Sequence, residues 1–233
     1  MCGRYTLVNL AHLTDLFPWI TEPPVDVPPR YNIAPSQPIL AVANDHPDKY
    51  DFFFWGLVPS WAKDPTIGNK MCNARAETLA ERNAFKNAYR RRRCLIPADG
   101  FYEWKLNPDG KTKQPTYIRM KGHKPFAMAG LWEQWQDEKG NELKSATIIT
   151  TRANPLMATM HDRMPVILHE KDFRRWLDPK EHVSGSDFDD LLSPYPDAEM
   201  EAYPVSKQVN SPKNEGAAEL IAPVEPFPVS LWG

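Results

Sequence analysis

With 233 residues, 25% of them charged, and a formal net charge of −2, the chain is long enough to bury a core as one large domain or two small ones. It lacks the overall basic excess of an ordinary nucleic-acid-binding domain. No apolar run is long enough to cross a bilayer, and the first residues lack the basic-then-apolar layout of a secretory signal. Three cysteines, odd in number and without CxxC spacing, argue against both a disulfide framework and a zinc site. They predict a reducing, intracellular setting, with no metal and no cofactor called for.

The chain opens Met1-Cys2-Gly3-Arg4. A small second residue favours removal of Met1, which would leave the α-amine of Cys2 (reference pKa roughly 8) and its thiol (roughly 8.5) on adjacent carbons. Such a 1,2-aminothiol condenses with an aldehyde to an imine and then closes a thiazolidine ring. It is equally a nucleophile with its own base. The plain alternative is an ordinary cysteine in a frayed terminus.

Asn9 followed by Leu10, Leu13, Leu16 and Phe17 predicts a short amphipathic helix capped by Asn9. The proline-rich stretch 22–38 predicts an extended loop carrying Arg30-Tyr31-Asn32-Ile33-Ala34-Pro35. Strands are predicted over Ile39–Val42 and Tyr50–Trp55. A loop with Gly56, Pro59 and Trp61 then leads to Asn73-Ala74-Arg75-Ala76-Glu77, and Thr78–Tyr89 predicts a helix. The polar segment Ala62–Cys72 predicts no definite conformation, and Cys72 reads as a small packing residue. Arginines 90–93 fit either a solvated helix end or a phosphate-binding strip.

Beyond residue 94 the pattern is mostly β, with strands predicted over Cys94–Pro97, Gly100–Lys105, Thr116–Met120, Phe126–Trp132 and Ala146–Thr151. Turn residues at 107–110 and 138–141 separate them. An apolar run at Val166–Leu168, helices over Glu170–Leu177 and Ser186–Leu192, and a short strand at 201–205 complete the order. Without repeats or a linker, this is one α+β domain dominated by antiparallel sheet, over 1–222, with 223–233 as a loosely held tail.

Three polar residues stand out besides Cys2. Glu103, in Gly100-Phe101-Tyr102-Glu103-Trp104, shares a strand face with Phe101, opposite Tyr102 and Trp104. Desolvation among rings would raise its pKa and suit it to proton transfer, whereas an edge strand would leave it facing water. His161 precedes a strand beside Asp162 and Arg163, and is either a proton exchanger or a loop histidine bonded to backbone. Asn73 either steadies a developing charge or caps the following helix.

Taken together, Met1-Cys2-Gly3-Arg4, Arg30–Pro35, Trp55–Pro59, Asn73–Thr78, Gly100–Trp104, His161–Pro165 and Val205-Ser206 with Lys213-Asn214 resemble the SOS-response-associated peptidase (SRAP) family, whose members act as abasic-site processing proteins. The resemblance spans residues 1–222. It implies a barrel-like core of antiparallel strands with flanking helices, and binding of single-stranded DNA at an abasic site, whose ring-opened sugar exposes an aldehyde. Cys2 would form the imine and thiazolidine there. Asn73 would position the N-terminus and sugar, Glu103 would move protons, and His161 would assist ring opening. Arg75 and Arg163 would hold phosphates, with Arg4 beside the nucleophile. Asn32, Pro35 and Trp61 would line the DNA path, Trp104 would stack near the lesion, and Thr150 would lie at a strand end near the site. The resemblance also implies peptidase activity as autocatalytic loss of Met1, and a lyase side reaction by β-elimination. A monomer free of membrane, placed with DNA in cytoplasm, nucleoid or nucleus, completes the expectation. Two other readings stand beside it. One is an N-terminal-nucleophile hydrolase of the glutamine amidotransferase kind, and the other a non-covalent single-strand binder with an inert Cys2.

Overall fold

The computed structural model describes residues 2–22, 24, 27–179, 187–215 and 217–225. In chain order the first half holds β1 (Tyr5–Leu7), α1 (His12–Leu16), β2 (Arg30–Ile33), β3 (Pro38–Ala43), β4 (Asp51–Trp55), β5 (Asn73–Arg75), α2 (Lys86–Arg91), β6 (Arg93–Ala98) and β7 (Gly100–Leu106). The second half holds β8 (Lys113–Met120), β9 (Phe126–Gln136), β10 (Glu142–Arg152), α3 (Pro155–Ala158), β11 (Arg163–Pro165), β12 (Ile167–Leu168), α4 (Phe173–Trp176) and β13 (Met200–Pro204).

The long β9–β10 hairpin organises the molecule. On one side β9 pairs with β6, then β3, then β4, and β4 returns to β10 in parallel. The five strands β4-β3-β6-β9-β10 therefore close a barrel, which leaves none of them with a free edge. Closure demands close approach at Gly130: a Cβ there would meet Cys94 Sγ at 2.8 Å and Thr147 O at 3.0 Å. A second sheet, β13-β8-β7-β1-β2, lies beside the barrel. One of its faces, with Tyr5 and Phe101, joins the main core. The other buries Tyr102 and Tyr117 with Val205, Val209 and Leu220. The expected α+β, mainly antiparallel, barrel-like architecture is the one observed.

Gly100 marks the tightest point of the second sheet. An added Cβ would lie 2.3 Å from the ring of Tyr117, whose hydroxyl is locked to Thr6 Oγ1 at 2.8 Å. Gly100→Ala is expected to cost about 2–3 kcal/mol, the upper part of the range for overpacking a core, read as a lower denaturant midpoint with unchanged slope.

Several local expectations are corrected. Asn9 does not cap α1, which begins at His12 after a turn. The N-cap is Ala11, and the Asn9 side chain instead meets His12 Nε2 at 2.9 Å. Arg30–Ile33 is a strand rather than loop, because no proline falls between Pro29 and Pro35 and the backbone there is able to pair with β1. The helix expected over Thr78–Tyr89 is confined to α2. Leu79 and Phe85 are both buried, and in one helix six residues would turn them about 120° apart, so the chain turns between them. The arginine run divides. Arg92 pairs with Glu133 at 2.9 Å, and fully buried Arg93 donates to the carbonyls of Trp176, Tyr89, Arg90 and Asp178. Desolvation pushes the Arg93 guanidinium down to about 10. Residues 62–72 carry a 3-10 turn, Pro65–Lys70, capped by Asp64. The helix expected at Glu170–Leu177 forms as a 3-10 turn running into α4. Of Ser186–Leu192, Ser186 lies outside the described residues and 187–192 are turns rather than helix. The start of the tail is held, since Pro223 bridges Val205 and Val224 N–H donates to Pro204 O at 3.0 Å; residues 226–233 lie outside the described residues.

Candidate active site around Cys2

β1, which the sequence reading left unassigned, is what fixes Cys2. Tyr5 pairs with Phe101 and Thr6 with Gly100, and Tyr102 N–H donates to Arg4 O at 3.0 Å. Continuing that register sets Gly3 opposite Glu103, so the chain start is carried along β7 to the carboxylate. Cys2 is fully buried in the main core. From the other side Asn73 Nδ2, on β5, donates to Cys2 O at 2.9 Å and lies 3.4 Å from Cys72 Sγ. Asn73 Oδ1 is buried with no hydrogen-bond partner. It is an acceptor available to an amine at this position. Asn73 therefore belongs to a strand and clamps the Cys2 peptide, rather than capping a helix.

Glu103 is 4% exposed and shares the core-facing side of β7 with Phe101, while Tyr102 and Trp104 turn to the opposite cluster. Burial, and secondly the charge of Glu103, push the Cys2 thiol well above the ordinary cysteine range. The thiol is thus held protonated, and chemistry at Cys2 with a carbonyl would begin at the amine. Burial also raises Cys94 and the partly exposed Cys72, and all three thiols are free. Iodoacetamide near neutral pH is therefore expected to label Cys72 well before Cys2 and Cys94 in the native protein, read by peptide mass mapping.

A second group adjoins the first through strand register. Arg75 is two residues beyond Asn73 on β5, on the same side at about 7 Å along the strand. Thr150 of β10 lies between Arg75 and Pro165 in register, and Arg163 of β11 lies opposite Arg152. Arg163 Nη2 donates to Thr150 O at 2.6 Å, and both Nη atoms donate to Glu77 at 2.7 and 2.9 Å. Arg75 is exposed. His161 joins this group through the backbone. Its Nδ1 accepts Arg163 N–H at 3.0 Å and lies 2.8 Å from Asp162 Oδ1.

Arg4, Asn32 and Trp104 form a third group. Asn32, fully buried, donates to the carbonyls of Val209, Ser211 and Asn214 and accepts from Arg4 at 3.0 Å. Arg4 also donates to Val209 O at 2.8 Å and lies 6.0 Å from the Trp104 ring, whose Nε1 donates to Asn210 Oδ1. These side chains fasten segment 207–214 beside β1. Pro35 is half-buried next to Ser36, and Trp61 is 58% exposed in its loop, an open aromatic face. Sequence reasoning gave Glu77 no part, although its place two residues after Arg75 in a motif of alternating charge was a usable signal.

A sequence model of the SOS response associated peptidase (SRAP) family matches residues 1–212. The chain is 47% identical over 226 residues to the abasic site processing protein YoqW of Bacillus subtilis, covering 95% of this chain and 99% of that one. It is 32% identical over 234 residues to the abasic site processing protein YedK of Escherichia coli, covering 96% and 100%. A crystal structure of a protein from Bacteroides thetaiotaomicron superposes with a TM-score of 0.84 at 26% identity, covering 96% of this chain and all of that one.

Proposed function

The chain belongs to the SRAP family, and from that premise we propose that it processes abasic sites in single-stranded DNA by forming a covalent thiazolidine through Cys2 after loss of Met1. The observation that carries this reading is the convergence on Cys2 of the Asn73 clamp and the buried Glu103 carboxylate, next to two arginines.

The Cys2 amine attacks C1′ of the ring-opened sugar, water leaves, and an imine forms. The thiol then adds to that carbon. Its proton passes by way of Glu103 to the imine nitrogen, which becomes a ring amine. Asn73 Oδ1 is placed to accept from the amine, and His161 serves sugar opening. Arg75 and Arg163 meet phosphates, with Arg4 a weaker partner. Pro35, Trp61, Trp104, Asn32 and Thr150 border the strand, of which Trp61 offers the most open stacking face. The net charge of −2 does not oppose this, because acidic groups more than about 10 Å away are screened at ordinary salt. Loss of Met1 by the same centre is the peptidase activity, and β-elimination from the imine is a lyase side reaction. The working domain is 1–222.

The test is incubation of the protein with a single strand holding one abasic site, followed by denaturing electrophoresis and intact mass. A conjugate weighing the Met1-less protein plus DNA minus one water supports the reading. Absence of any conjugate from protein shown to lack Met1 overturns it, and glutaminase activity would then favour the N-terminal-nucleophile alternative.

A further inference from the structure

Glu77 has no part in the chemistry above, yet it holds the guanidinium assigned to DNA. Its carboxylate takes both Nη atoms of Arg163 in a two-point contact at 2.7 and 2.9 Å. The two partners differ sharply in exposure: the Arg163 side chain is 11% exposed, that of Glu77 52%. Arg163 is held from behind by Thr150 O, and its Nε is buried without a hydrogen-bond partner. Arg163, by hydrogen bond and charge, and Arg75, by charge, keep the Glu77 carboxyl below its usual range. The carboxylate is therefore an anion at neutral pH, facing both arginines.

A carboxylate and a phosphate present the same pair of acceptor oxygens to a guanidinium fork. We propose that Glu77 is an internal stand-in for a backbone phosphate, occupying the Arg163 fork in the free protein and yielding it to the strand when DNA docks. The anchored guanidinium stays while the exposed carboxylate leaves, an exchange made easy because exposed ion pairs contribute little. The consequence is discrimination. With Glu77 in place the two arginines present a net charge of one, so strands that bring no aldehyde to Cys2 are held weakly.

This inference rests on Arg163 meeting a phosphate, and the experiment separates the two claims. The probes are a single strand carrying a tetrahydrofuran residue, which has no aldehyde and cannot crosslink, and the same strand undamaged. Binding is followed by fluorescence anisotropy across a salt series. Glu77→Gln is expected to bind both strands about fivefold tighter at low salt, the effect of one unit charge about 4 Å from a phosphate in water-like surroundings. The slope of log K against log salt should steepen by up to about 0.7, because in the wild type the displaced carboxylate regains counterions as the strand releases its own, and in the variant it does not. The double variant with Arg163→Gln should fall back to the level of Arg163→Gln alone. If Arg163→Gln weakens binding while Glu77→Gln binds as wild type or more weakly, Glu77 merely positions Arg163 and the inference is overturned. If Arg163→Gln leaves binding unchanged, Arg163 does not meet DNA and both claims are lost.

Discussion

Cys2→Ala and Cys2→Ser are each expected to remove the heat-stable conjugate with abasic single-stranded DNA entirely, and each to keep a transient adduct that borohydride traps. Both variants remove the thiol of this residue and keep its amine. Alanine and serine both retain the α-amine after Met1 is removed, so both can condense with the aldehyde. Neither supplies the sulfur that closes the ring. The resulting imine hydrolyses on heating, whereas a thiazolidine holds its carbon through both nitrogen and sulfur. The hydroxyl of serine is a weak nucleophile at its ordinary pKa. The burial that keeps the Cys2 thiol protonated would suppress an alkoxide still more strongly. The measurement is a denaturing gel with and without borohydride reduction. A stable, reduction-independent conjugate from Cys2→Ala would show that some other group forms the bond.

Glu103→Gln is expected to slow conjugate formation by about a hundredfold, at the lower end of what a positioned general acid–base contributes. Non-covalent affinity for a tetrahydrofuran-containing strand should not change. Glutamine preserves the shape of the side chain at a position 4% exposed, so packing beside Phe101 is kept and only the proton-accepting charge is lost. That charge has a specific task, since the thiol next to it is pushed up by burial and must give up its proton as the carbon–sulfur bond forms. The same substitution removes the second cause of the raised Cys2 pKa, so the thiol should become somewhat easier to ionise even as crosslinking slows. Single-turnover crosslinking rates in both directions decide the matter. Wild-type rates of formation and reversal would take Glu103 out of the chemistry.

Much was determined by the sequence alone. Short apolar runs between turn residues from Cys94 to Thr151 specified five strands, β6, β9 and β10 of the barrel and β7 and β8 of the second sheet, because such runs read as strands even where both faces are buried. The Gly100–Trp104 segment also specified which side of β7 carries Glu103, since alternation needs no tertiary information. The motif set was enough to mark Cys2, Asn73, Glu103 and His161. What the sequence did not carry were facts about partners distant in the chain. β1 is three residues long and has no periodicity to read, and only pairing with β2 and β7 makes it a strand. Asn73 could cap a helix or clamp a peptide, and the choice was made by the parallel pairing of β5 with β10, which brings its amide to Cys2 O. Arg4 and Asn32 read as groups facing DNA, yet their hydrogen bonds run to 209–214, some two hundred residues beyond Arg4. Glu77 became meaningful only when β10 and β11 brought Arg163 to it across 86 residues of chain. Local periodicity follows from the residues themselves, but a polar side chain satisfies its donors and acceptors with whatever the fold brings near, and that is settled by closing the barrel.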